Sequence, residues 1–105
     1  MRVYDILEME SKGCFDFFCN EANWNPESAG FGLIRDRAPG SPQVASIASV
    51  GFGLSALVIG CHRGWISHEK AYERAYGTLE TLLKLETIHG FYFHFIDFDS
   101  GTRDR

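Results

Sequence analysis

Between Ala38 and Cys61 the chain carries no Asp, Glu, Lys or Arg, and this charge-free run constrains the fold more than any other feature. Its large apolar residues are Val44, Ile47, Val50, Leu54, Leu57 and Val58, at steps of three, three, four, three and one. A strand would alternate or run solid, whereas this spacing is one face of a helix, so a helix is predicted over 44–63. Pro39 and Pro42 shorten the usable run to about eighteen residues, and serines and glycines dilute it. A buried helix is therefore expected rather than a membrane span.

The same run contains Gly51-x-Gly53-x-x-Ala56, which fits the short glycine pattern of dinucleotide-binding loops. That reading needs a strand immediately before Gly51, so that the glycines form the strand-to-helix turn. The apolar stripe instead passes through both glycines without losing register. Each interior glycine costs about 1 kcal/mol relative to alanine, so they read as positions of close packing, or of clearance beside Phe52. Nucleotide binding through Gly51-x-Gly53 is the less favoured alternative.

The remaining elements follow from local signals. Ile6, Leu7, Cys14, Phe15, Phe17 and Phe18 predict a first helix over 3–22, stopped before Pro26. Residues 23–43 read as a long loop carrying Trp24, Phe31, Arg35, Asp36 and Arg37, a mixture suited to a polar ligand with an apolar face. Ser67 is a predicted N-cap, followed by a stripe of Tyr72, Ala75, Tyr76, Leu79, Leu82 and Leu83. This third helix, over 67–86, should run antiparallel to the second because the connection is so short. Five aromatics in 91–98 lack a helical stripe and predict an extended segment, with Asp99-Ser100-Gly101 as a turn.

The 105 residues suffice for one small domain. Nine Phe, four Tyr and two Trp are a heavy load for a chain that buries about 60–70% of its surface. Some of these rings are expected to meet a ligand, a second subunit or further polypeptide. A net charge of −4 carries no footprint for nucleic acid, since Arg35, Arg37, Arg103 and Arg105 are interleaved with Asp36 and Asp104. Three irregularly spaced cysteines argue against a disulfide framework. They suit a reducing compartment such as the cytoplasm. No signal peptide is visible at the start, although a periplasmic or secreted parent without its leader would look the same.

Chemistry-bearing residues are sparse. Asp36, Asp97 and Asp99 are candidates for the paired carboxylates of glycoside hydrolysis; the plainer alternatives are an ion pair for Asp36 and a turn for Asp99. Cys14 and Cys19, His89 and His94, and Cys61-His62 lack recognised zinc spacings, so no metal and no cofactor is expected. His94, between Phe93 and Phe95, reads either as a donor to a sugar hydroxyl or as a buried core histidine.

Several segments together carry a resemblance: Gly32-Leu33-x-x-Asp36-Arg37, Ser46-Ile47-Ala48, Gly51-Phe52-Gly53, Arg63-Gly64-Trp65-Ile66-Ser67 and Phe93-His94-Phe95-Ile96-Asp97. In this order the chain resembles the glucoamylase-like family of bacterial glycoside hydrolases, which includes β-1,2-glucan-degrading enzymes. The resemblance implies an all-α fold, with helical hairpins from the first part of an (α/α)6 toroid and a short aromatic extended segment near the C-terminus. Residues 1–105 would then be a single partial domain, an N-terminal fragment. Asp36, Arg37, Phe52, Phe93, His94 and Asp97 would line a sugar cleft for a glucan oligosaccharide. The acidic motif that supplies the family's candidate catalytic carboxylates is not reached, so the chain alone is expected to be inactive and the catalytic residues stay unassigned. A different class of reading is a non-catalytic helical module; in either case a folded fragment is expected to self-associate as a homo-oligomer.

Overall fold

The computed structural model describes residues 2–36, 43–85, 87–88 and 91–103. Three helices, α1 (Val3–Asn20), α2 (Ile47–His62) and α3 (His68–Lys84), dominate the chain. Four short strands accompany them: β1 (Val44–Ser46), β2 (Thr87–Ile88), β3 (Phe91–Tyr92) and β4 (Phe95–Asp97). The fold is thus helix-rich with a small sheet: the extended segment expected near the C-terminus pairs with strands elsewhere in the chain, so the all-α expectation is corrected to helices with a small sheet.

Residues 44–46 form a strand rather than the first turn of α2. Ser46 ends it as the N-cap of α2, its hydroxyl accepting from the Ser49 N–H at 3.0 Å. The stripe there has helical spacing by coincidence, because all three residues of β1 are buried whichever way they point. At the far end of α2, Gly64 has φ +76, and the Trp65 N–H reaches the Gly60 carbonyl at 2.8 Å. This glycine-closed cap satisfies the last carbonyls and reverses the chain. Ser67 then caps α3 by accepting from the Lys70 N–H at 3.2 Å, as its position predicts.

β1 pairs antiparallel with β4, Val44 opposite Asp97 and Ser46 opposite Phe95. Single-residue bridges widen this ribbon: Ala22 with Ile34, Arg35 with Ala45, and Ile96 with Arg103. The core lies between the ribbon, the start of α2 and the end of α3. It comprises Leu33, Ala45, Val50, Ile96 and Phe98, with Ile47, Leu82 and Leu85 packed against it. Two core contributors, Leu33 and the adjacent buried Ile34, come from the segment expected to be a plain loop.

α2 faces this core and α1 with Val50, Gly53, Leu57 and Gly60. A Cβ on Gly53 would run into the Ile34 side chain, and one on Gly60 into the Phe15 ring. Phe15 is buried there beside Trp65, with ring centroids 5.4 Å apart. Among the described residues no helix is long and apolar enough to cross a membrane.

Candidate functional site

The ribbon positions most of the predicted site residues. The Asp36 N–H donates to the Val44 carbonyl at 2.9 Å, and Val44 faces Asp97 on its other side. Asp36 and Asp97 therefore stand in one row on one face, a strand apart on either side of Val44. With strands spaced about 4.8 Å, their Cα atoms are roughly 10 Å apart.

The two carboxylates differ in what holds them. One Asp97 carboxylate oxygen accepts from the Asp99 N–H (3.1 Å), the Ser100 N–H (2.9 Å) and the Ser100 hydroxyl (3.0 Å). The Ser100 backbone N–H is the main reason its pKa lies below the usual carboxylate value. Such a group stays ionised at neutral pH and pins the turn after β4, so it suits an acceptor better than a general acid. Asp36 is half-buried, and Asp99 sits on the turn itself, accepting from the Gln43 side chain at 2.8 Å.

At the opposite end of the ribbon, His94 is exposed, which excludes the buried-histidine alternative. Its carbonyl accepts from the Ile47 N–H at 3.1 Å, anchoring it at the start of α2. Its ring meets Phe95 edge-on, centroids 4.3 Å apart. Phe93 is half-buried, and the Arg103 guanidinium lies 4.6 Å from its ring centre, so one ring face is already occupied. Phe52 is 66% exposed on α2. It lines an apolar recess of about 300 Å³ with Cys14, Phe18 and Ile59. Arg37 lies outside the described residues.

The structure thus gathers Asp36, Asp97, Phe93 and His94 along one ribbon, and places Phe52 apart, about 7–8 Å further along the α2 axis from the His94 anchor. A cavity of about 490 Å³ lies elsewhere, between the 26–31 turn, α3 and Ser100. None of the five described site residues lines it.

Gly51 and Gly53 lie inside α2, after a strand whose partner is antiparallel. The strand-to-helix turn falls at Ser46, not at the glycines, and this geometry removes the dinucleotide reading. The glycines have separate reasons: Gly53 clears Ile34, whereas a Cβ at Gly51 would meet nothing within 4 Å.

Asn23 is a residue the sequence did not single out. It is buried, and its side-chain amide donates to the Ser28 hydroxyl (2.9 Å) and the Phe98 carbonyl (3.0 Å), while its side-chain oxygen accepts from the Asn25 N–H (2.9 Å). It fastens the turn after α1 to the end of the ribbon. A lone Asn before Trp24 carries no sequence signal for that role. Burial raises the Cys19 thiol pKa, and the Arg74 guanidinium 3.8 Å away only partly offsets this, so the thiol is not an activated nucleophile. Among the described residues no three His, Cys, Asp or Glu side chains converge on a possible metal position.

The homologue and the structural neighbours of this chain are glucoamylase-like and β-1,2-glucanase proteins. The exo β-1,2-glucooligosaccharide sophorohydrolase (non-reducing end) of Parabacteroides distasonis is 30% identical over 96 residues, which is 91% of this chain and 13% of that protein. The solved β-1,2-glucanase from the same organism superposes with a TM-score of 0.80 at 30% identity, covering 96% of this chain and 14% of the other. An endo-β-1,2-glucanase from Chitinophaga pinensis, solved with sophorotriose and glucose, gives a TM-score of 0.79 at 25% identity over 96% of this chain and 25% of the other. The chain therefore spans a quarter or less of each of these relatives. No family model matches it.

Proposed function

We propose that this chain is a portion of a glucan-acting glycoside hydrolase and forms one wall of its sugar cleft. One observation carries the reading: 96% of the chain superposes on an endo-β-1,2-glucanase solved with sophorotriose and glucose. In this reading α1 to α3 belong to an (α/α)6 toroid, and the ribbon faces its cleft. Asp36 and Asp97 accept hydrogen bonds from sugar hydroxyls, Arg37 donates a pair of them, and His94 donates another. Phe52 offers an exposed ring face, and Phe93 backs the segment that carries His94. No residue of this chain is assigned as catalytic acid, base or nucleophile, and the 105 residues alone are inactive.

The test uses a protein that carries this segment within the full length of its relatives. Calorimetric binding of sophorotriose should weaken about tenfold with Arg37→Ala and again with His94→Ala, a loss of about 1.4 kcal/mol each. Unchanged affinity in both variants, with the helical signal intact, would discard the cleft assignment.

A further inference from the structure

Between α1, the turn at 63–67 and the first half of α3 lies a recess of about 360 Å³, the size of a small-molecule pocket. Lys12 and Asp16 reach it from α1, Lys70 and Arg74 from α3, and Trp65 and Ser67 from the turn. Lys12 also lies over the Phe15 and Trp65 rings, 5.6 and 5.8 Å from their centroids. Lys70 and Arg74 are like charges at i,i+4, a spacing that destabilises a helix unless an anion lies between them.

The surrounding residues supply too little negative charge. Asp16 is the one carboxylate lining the recess, and it is tied to Lys12 at 2.6 Å. Glu8 pairs with Arg63, and the exposed Glu69 and Glu73 of α3 do not line the recess. Neither Lys70 nor Arg74 forms an ion pair with another described residue. The Arg74 guanidinium is half-buried, against the Trp24 ring at 4.5 Å and the Cys19 Sγ at 3.8 Å. That thiol, its pKa raised by burial, is neutral at pH 7 and offsets no charge. A partly desolvated cation without a counter-charge is unfavourable. Trp24 is itself fixed, its indole N–H donating to the Cys19 carbonyl at 2.9 Å. The guanidinium is therefore held in place before anything binds.

Three cations against one carboxylate leave an excess of two positive charges in the recess. A phosphate monoester carries about −1.5 to −2 at pH 7 and matches that excess, whereas a carboxylate would leave half of it. The N-terminus of α3, capped by Ser67 at the same rim, adds its partial positive charge. The chain as a whole carries −4 and repels an extended polyanion, so the local excess selects a small ligand. We infer that this recess binds the phosphate group of a small phosphorylated molecule, with Arg74 and Lys70 donating to its oxygens and Lys12 closing the rim. The inference is independent of the sugar-cleft reading, since it invokes no residue of that site.

Calorimetry on the 105-residue chain with glucose 6-phosphate, inorganic phosphate and glucose tests it. Glucose 6-phosphate should bind at least about tenfold more tightly than glucose, and inorganic phosphate should compete with it. Equal affinity for the two phosphates assigns the site to the free anion, and tighter glucose 6-phosphate assigns it to a phosphorylated sugar. Arg74→Gln and Lys70→Gln, the latter at an exposed position, should each weaken binding about tenfold. Lys84→Gln, at the far end of α3, should leave it unchanged. Asp16→Asn should tighten binding several-fold by releasing Lys12 to the ligand, a gain that a merely structural role for Asp16 would not give. Amide shifts should map to Ser67 and Lys70. No phosphate binding by a chain with intact helical signal, an equal loss in Lys84→Gln, or weaker binding in Asp16→Asn would each overturn the inference.

Discussion

Gly51 and Gly60 lie in one helix for different reasons, and alanine separates them. A methyl group at Gly51 meets nothing within 4 Å, so Gly51→Ala should stabilise the chain by up to about 1 kcal/mol. At Gly60 the same methyl group enters the Phe15 ring, itself held by Trp65. Gly60→Ala should therefore cost about 1–3 kcal/mol as the ring is displaced. Urea denaturation of the two variants reads both effects, and equal signs would refute the distinction. Asp97 offers a second contrast. Its folded pKa is depressed, so its contribution is fully present above the unfolded value near 3.9 and is lost as pH falls through the folded value. Asp97→Asn keeps an oxygen acceptor for Ser100 and should flatten the acid limb of the stability curve below about pH 4. Asp97→Ala should lose about 1 kcal/mol at pH 7 as well. An acid limb as steep in Asp97→Asn as in the parent chain would rule out the turn-pinning role.

Among elements, the helices were the legible part. α3 was readable from Ser67 and a regular stripe, and α1 from its clustered Phe residues and Pro26. Periodicity defines a face but not its partner, so nothing in the stripe revealed that Tyr72, Tyr76, Leu79 and Leu83 turn outward. The 44–46 strand was hidden because a short element buried on every side carries no alternation. Leu33 and Ile34 were hidden among glycines and prolines, although Gly32 marks the place. With φ +85 and Thr78 pressed against it, Gly32 fits where no side chain could. For the candidate site, the sequence singled out Asp36, Phe93, His94 and Asp97, which lie on or beside the ribbon. It could not separate the Asp97 carboxylate, tied into a turn, from Asp36, nor detect Asn23, whose role depends on Phe98 far along the chain.

At the scale of the whole molecule, the chain exposes apolar residues on all three helices while keeping a tight core under the ribbon. The relatives are about four to seven times as long as this chain, and in the proposed toroid further helices would lie against these faces. The ribbon also has a temporal consequence. β1 and β4 clasp the chain from either side of the α2–α3 hairpin, so their pairing closes a loop that contains two complete helices. Such a closure costs chain entropy before its contacts form, whereas the hairpin needs only neighbouring turns. The hairpin should therefore assemble first and the clasp last. In stopped-flow experiments Ile96→Ala, at the ribbon centre, should chiefly accelerate unfolding, while Leu57→Ala, between the helices, should slow refolding. If Ile96→Ala instead slowed refolding in proportion to its full loss of stability, the clasp would belong to the nucleus. With the order proposed, the ribbon is the latch, and the lifetime of the native state is set at the strands that carry Asp97 and adjoin His94.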